Sequence, residues 1–310
     1  MHKYDIIVAG DCNIDLIFNH FNKLPNFGEE VLADQFDIAL GSSAGITAAH
    51  LATLGIKVAY VGAVGEDNFG TLFKSLLSNY DVCTDHLVVQ PRLKTGVTVV
   101  MNKDEDRANI THAGAMASLK PKDITDELLK KSKRFHLSNP YVLPHFRNKL
   151  PDFYKHIKSI GTHTSLDPQW DVEEKWDTNL STLLPYVDVF FPNAVELEKL
   201  LTGNQMSMKD LVNLSQNTIA NTLGSEGVRL ISNGQIKHYE SFHNSNPIDC
   251  IGAGDAFTAG YLAALIENKS TAETIELACK NAALSTTIAG GTVPYISRQD
   301  FESMFEKTGL

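Results

Sequence analysis

Short apolar runs closed by glycine or polar residues alternate along the chain with longer amphipathic stretches. Residues 4–10, Tyr-Asp-Ile-Ile-Val-Ala-Gly, have the continuous apolar character of a buried strand that ends at Gly10. Residues 57–65 read as a second strand running out into glycines, and strand signals recur at 134–137, 164–166, 187–191, 216–223 and 228–232. Helical spacing occupies 46–54, ended by Gly55, then 71–77, 258–266 and 278–288. This alternation predicts an α/β fold: a doubly wound, mainly parallel sheet flanked by helices on both faces.

A second pattern is weaker. Apolar and polar residues partly alternate over 30–40, at Val31, Ala33, Phe36 and Ile38. Residues 95–101 and 108–111 read as a hairpin around the charged turn 102–106. Together they predict a small sheet apart from the main one, whose single apolar face needs a cover, either a ligand cleft or a second subunit.

Composition narrows the function. In 310 residues, 43% hydrophobic content is ample for a large core, and a net charge of −10 with scattered basic residues argues against nucleic acid or an anionic membrane as partner. Cys12, Cys83, Cys250 and Cys279 form no C-x-x-C pair, so neither a disulfide framework nor a zinc site is expected, and a reducing cytoplasm fits. The eleven histidines include no H-E-x-x-H pattern. The first residues lead into a strand without a signal-peptide layout, and no apolar run approaches membrane-spanning length.

The chemistry concentrates at residues 247–257, Pro-Ile-Asp-Cys-Ile-Gly-Ala-Gly-Asp-Ala-Phe, which lead into a helix. Gly252, Ala253 and Gly254 then sit at a helix N-terminus, where unpaired amides and the helix dipole favour an anion such as phosphate. Asp255 reads either as a capping carboxylate or as a general base for a hydroxyl that attacks the bound phosphate. Asn13 and Asp15 follow the first strand, where they serve as turn residues or as hydroxyl-binding groups. Gly41-Ser42-Ser43-Ala44-Gly45 has the G-x-S-x-G form of a hydrolase nucleophile elbow, which makes Ser43 a candidate nucleophile in a different enzyme class. Few strands precede it, and the alternative reading is that small residues allow close approach. Asn193 and Glu196 share one helix face at its start, as a cap or as groups that order water around Mg²⁺. Thr222, Gly224 and Gly227 suit nucleotide phosphates or a plain hairpin turn. No G-x-x-x-x-G-K-[ST] is present and no G-x-G-x-x-G follows the first strand, which argues against a P-loop NTPase and a dinucleotide-binding Rossmann enzyme.

In their order these motifs resemble the ribokinase-like, PfkB-type carbohydrate kinases over nearly the whole chain. Asn13-x-Asp15 is followed by the Gly-rich helix entry, Gly62-x-Val64-Gly65-x-Asp67-x-x-Gly70, Asn193-x-x-Glu196, Thr222-x-Gly224-x-x-Gly227 and Asp249-x-x-Gly252-Ala253-Gly254-Asp255. The resemblance implies a single kinase domain with an eight- to nine-stranded sheet, a β lid formed by about 12–40 and 92–113, and ATP-dependent phosphorylation of a sugar hydroxyl, with nucleosides as alternative acceptors. It implies Asp255 as base and Gly252, Ala253 and Gly254 as the anion hole. Asp15, Asn13, Gly41, Ser42 and Arg107 would meet the sugar, and Asn193, Thr222, Gly224, Gly227, Gly254 and Asn281 the nucleotide. Glu196 would organise Mg²⁺ through water, and backbone near Asp249 and Ile251 would bind K⁺. A homodimer through the lid follows by the same analogy. The chain departs from the family pattern at Ser42, Ile46 and Cys250, and Gln169 stands in the Asn position of an Asp-x-Asn segment at 167–169.

Overall fold

The computed structural model describes residues 2–103, 106–242, 244–291 and 293–309, with the backbone alone at Lys103, Asp106 and Arg107. In chain order the first half contains β1 (Tyr4–Ala9), β2 (Asn13–Asn19), β3 (Gln35–Leu40), α1 (Ser43–Thr53), β4 (Val58–Val61), β5 (Ala63–Gly65), α2 (Asn68–Ser78), β6 (Val88–Gln90), β7 (Gly96–Lys103) and β8 (Asp106–His112). The second half contains α3 (Asp126–Leu129), β9 (Ser132–Ser138), α4 (Leu150–Ser159), β10 (His163–Asp167), α5 (Leu180–Leu183), β11 (Val189–Phe190), α6 (Ala194–Gly203), α7 (Met208–Leu214), β12 (Thr218–Thr222), β13 (Val228–Ser232), β14 (Gln235–Tyr239), α8 (Ala253–Ile266), α9 (Thr271–Ser285) and α10 (Arg298–Thr308).

The main sheet has eight strands in the order β14-β13-β12-β11-β10-β9-β1-β4. Pairing is parallel from β4 to β12, and β13 and β14 close the far edge antiparallel. Ile6, Ile7, Val8 and Ala9 of β1 have no exposed surface, as a strand covered on both faces requires. Small residues let the helices approach closely. A Cβ on Gly260 of α8 would stand 2.8 Å from the Ala278 Cα of α9. Because the central strands are parallel, their carboxyl ends share one edge, which carries Asp11, Asn139, Asp167, Asn193 and Thr222.

A second, four-stranded sheet has the order β3-β2-β7-β8, its strands lying between residues 13 and 40 and between 96 and 112. Its β2–β7 pair is parallel, with Asp15 beside Thr98, and β7–β8 is antiparallel, with Thr98 opposite Thr111. Phe36, Ile38 and Ile110 are exposed apolar residues of this sheet. Asp104 and Glu105 of the expected turn lie outside the described residues, as does Thr292.

Three expectations change. The single strand at 57–65 is two: β4 joins the main sheet, whereas β5 pairs with β6 in a separate two-stranded sheet. The break is at Gly62, where a Cβ would collide with Cys12 Sγ. The helix expected at 278–288 runs from Thr271 to Ser285, opened by a Ser270/Glu273 capping box. Strand β14 has no counterpart in the apolar pattern. It is a mostly exposed edge reached through Asn233 and Gly234, both in the left-handed conformation. The Gly65–Gly70 segment is architectural: Asp67 caps α2 by accepting from Gly70 N (2.8 Å) and also accepts from Thr95 Oγ1 (2.7 Å). All four cysteines are free, and no helix among the described residues is long and apolar enough to cross a membrane.

Candidate active site

A cleft of about 470 Å³ lies between the small sheet and the carboxyl edge of the main sheet. The start of α8 forms one wall. Gly252 caps this helix with φ +74°, a conformation in which a side chain is strained, and packs on Gly291. Gly252 and Gly254 line the cleft, and Ala253 between them is half-buried. The amides of such a first turn have no intrahelical acceptors, so this wall presents donors and the positive end of a helix.

Asp255 is the third residue of α8 and is buried, with one face on the cleft. Its Oδ1 accepts hydrogen bonds from Ser43 Oγ and from Gln169 Nε2 (3.1 Å). Burial drives its carboxyl well above the ordinary range. The Ser43 bond opposes this, the charges of Asp11 and Glu196 add to it, and the Gln169 bond again opposes it. Ser43 lies 2.9 Å from Ser138 Oγ and has no histidine among its hydrogen-bond partners. The nucleophile-elbow reading therefore gives way: this serine is not activated by a base of the triad kind.

The glycine-serine entry to α1 is held from below. Asp11 accepts from Asn139 Nδ2 (3.0 Å), Ala44 N (3.2 Å), Ser42 Oγ (3.1 Å) and Ser43 N (3.3 Å). Ser42 is fully buried and caps α1 by accepting from Gly45 N (2.8 Å), so it shapes the turn and does not line the cleft. Gly41 does line it. A Cβ there would overlap the Asp15 carboxylate and stand 2.5 Å from Asn13 Nδ2. Asn13 Nδ2 donates to Asp15 Oδ1 (3.0 Å) and Thr98 Oγ1 (3.0 Å), and Thr98 meets Thr111 at 3.1 Å. The period of two along β2, β7 and β8 turns these polar groups toward the cleft. Met116, Val142 and Trp170 supply an apolar wall near them. Arg107 is in β8, opposite Asn102, and its side chain lies outside the described residues.

At the other end of the cleft, Asn193 and Glu196 form a reciprocal capping box at the start of α6, with bonds of 2.9 and 2.8 Å. Glu196 is nonetheless pushed up to about 7 by burial, against the lowering effect of the Asn193 amide. Asp167 is driven well above the ordinary range by burial, then by the Glu196 and Asp255 charges. Both carboxylates line this end of the cleft, and carboxylate oxygens are the donors a hard cation takes. Thr222 bridges to Asn193 and lines the cleft. Gly224 and Gly227, both at positive φ, belong to the turn that joins β12 to β13 just beyond it. Asp249 accepts from Ile251 N (2.9 Å) and Gly290 N (2.9 Å), tying the turn before α8 to the loop after α9.

Asn281 sits elsewhere. It is fully buried, donates to Ala256 O (2.7 Å) and accepts from Tyr295 OH (2.6 Å), so it fastens α9 to α8 and does not line the cleft. Sequence reasoning passed over Asn139, Thr98 and Thr111. Only the Asn139-Pro140 break, with Asn139 at φ +58°, carried a visible signal.

Comparisons with known proteins identify the family of this fold. A family model described as pfkB family carbohydrate kinase matches residues 3–297. A ribokinase of Lactococcus lactis subsp. lactis is 27% identical over 300 residues, covering 94% of each chain. The solved structure of Arabidopsis thaliana ribokinase complexed with ribose and ATP superposes with TM-score 0.82 at 24% identity, over 98% of this chain and 99% of that one. Methanocaldococcus jannaschii nucleoside kinase superposes with TM-score 0.80 at 18% identity, over 99% of each. With the match running almost from end to end, the chain belongs to the pfkB family of carbohydrate kinases.

Proposed function

We propose that the chain transfers the γ-phosphoryl group of ATP to a hydroxyl of a neutral sugar or nucleoside. The observation that carries this reading is the placement of Asp255, a buried carboxylate, beside the helix-start amides of Gly252 and Gly254 on the cleft that Asp15 also faces. In the reaction, the acceptor oxygen forms its bond to the γ-phosphorus as its proton passes to Asp255. The bond from that phosphorus to the ADP oxygen breaks, and the amides from Gly252 to Gly254 hold the charge on the transferring group. Asp15, Asn13, Gly41 and Arg107 would orient the acceptor, with the small sheet as a lid that excludes water. The nucleotide extends along Asn193, Thr222, Gly224 and Gly227.

Mg²⁺ would be held near Glu196 and Asp167, where it neutralises phosphate charge. Among the described residues no group of three His, Cys, Asp or Glu side chains is arranged to hold an ion, so water and phosphate oxygens would supply most of its ligands. K⁺ would sit by Asp249 and the Ile251 carbonyl. The exposed Phe36, Ile38 and Ile110 support a homodimer through the small sheet, in a cytoplasmic enzyme. Asp15 and Asn13 at the acceptor end present hydrogen-bonding groups, which suit the hydroxyls of a neutral acceptor.

The test is ADP release with Mg²⁺, with and without K⁺, across sugars, nucleosides and sugar phosphates. A neutral acceptor should turn over, and Asp255→Asn should lower its kcat by about 10²–10⁴. Turnover near the wild-type level in that variant would remove Asp255 from the mechanism.

A further inference from the structure

We infer that Ser43 and Gln169 form a two-donor clamp on one oxygen of Asp255, which leaves the second oxygen to take the proton of the acceptor hydroxyl. This rests on the assignment of Asp255 as the base. Both side chains donate to the same atom, Oδ1, from separate parts of the fold: Ser43 opens α1, and Gln169 stands on the loop after β10.

Each donor is itself held. Ser43 Oγ lies 2.9 Å from Ser138 Oγ. With the Ser138 hydroxyl donating to Ser43, the only hydrogen on the Ser43 hydroxyl points at Asp255. Gln169 has φ +54°, and its backbone N–H donates to Asp167 Oδ1 (3.1 Å). Two residues on, Asp171 anchors the same loop by accepting from Arg147 Nη1 (2.8 Å), Arg147 Nη2 (2.6 Å) and Trp176 N (2.8 Å). A rigid loop therefore presents the Gln169 amide at a fixed distance from the carboxylate.

The clamp has a chemical consequence. An oxygen that accepts two hydrogen bonds cannot carry a proton without losing one of them, so the transferred proton goes to Oδ2. It also counters the surroundings. Burial and the neighbouring carboxylates Asp11, Asp167 and Glu196 all favour a protonated Asp255, which could not act as a base. The two donors favour the ionised form. Ser43 and Gln169 are thus positioning residues that favour the charged form of Asp255 and aim its free oxygen.

The test is the pH profile of kcat/KM for the wild type, Gln169→Met and Ser43→Ala, using ADP release and a saturating nucleotide. Loss of one donor should move the acidic limb of the profile up by about one pH unit. The variant would then be about tenfold slower at the acid end and close to wild type at the alkaline end, with the nucleotide KM unmoved. Gln169→Glu, which replaces a donor by another acid, should move the limb further. Should Ser43→Ala fail to fold, the two Gln169 variants decide, because that side chain is only half-buried on a surface loop. A uniform loss at every pH, or superposed profiles, would overturn the clamp. If Asp255→Asn kept full turnover, the assignment of the base itself would fail. An inactive Asp255→Asn with superposed Gln169 profiles would remove the clamp alone.

Discussion

Gly252→Ala separates backbone geometry from side-chain chemistry at the turn that opens α8. Gly252 is held at φ +74°, where an L-residue costs about 1–2 kcal/mol. The new Cβ would also stand 2.8 Å from Gly291 Cα and 3.3 Å from both Gly291 O and Ile46 Cγ2. Gly291 contributes backbone to that contact, so the turn must move, and the amides at the start of α8 move with it. The strain alone should lower Tm by about 1.5–3 °C in a chain of this length. Loss of one well-placed donor to the transition state should lower kcat by about 10²–10³. Gly161→Ala provides the control. Gly161 has φ +88°, lies away from the cleft, and has nothing within 4 Å of the place its new methyl group would take. That variant should lose only the stability that the positive φ costs and keep its kcat. Paired thermal melts and ADP-release kinetics read both quantities. If Gly252→Ala lost no more activity than Gly161→Ala, the turn would not be stabilising the transferring phosphoryl group.

Two further substitutions probe the neighbouring parts. Gly41→Ala puts a methyl group on the Asp15 carboxylate, and disturbing that hydrogen-bonding group should raise the acceptor KM about 10–100-fold while the ATP KM stays near wild type; an ATP effect of equal size would reverse the two substrate ends. Arg147→Met removes the bidentate partner of the buried Asp171 carboxylate and should cost about 3–5 kcal/mol of stability at neutral pH. Burial raises the Asp171 carboxyl, but the Arg147 bond and the loop amides outweigh it and leave it below its ordinary value. A depressed carboxyl stabilises the fold above the unfolded-state pKa and loses that contribution as pH falls through the folded one. The gap in melting temperature between wild type and Arg147→Met should therefore narrow below about pH 4; a gap independent of pH would mean the ion pair is not its source.

Periodicity made the main sheet legible because its central strands are buried on both faces and read as continuous apolar runs, as in β1. It failed where burial is one-sided. Edge strand β14 offers only Ile236 and Tyr239 among exposed polar residues, although the Asn233-Gly234 turn before it was there to be read. The run at 57–65 shows no polar break, and only the collision that a side chain at Gly62 would meet explains why it divides between two sheets. Motif spacing located the start of α8, Asn193 with Glu196, and the polar pair Asn13 and Asp15. Spacing could not tell a residue on the cleft from one just beneath it. Ser42 and Asn281 lie beneath, each donating a hydrogen bond to a backbone carbonyl far away in sequence. Ser43 was legible as a serine in a special turn, but its partner at Asp255 is 212 positions away and only the fold brings the two together.

The most direct measurement is a crystal structure of the protein with a non-hydrolysable ATP analogue, Mg²⁺ and a neutral acceptor identified by ADP release. The terminal phosphate should lie within hydrogen-bond distance of the amides of Gly252 to Gly254, with the acceptor hydroxyl between it and Asp255. A phosphate tail directed away from the start of α8, or an acceptor out of reach of that carboxylate, would contradict the account.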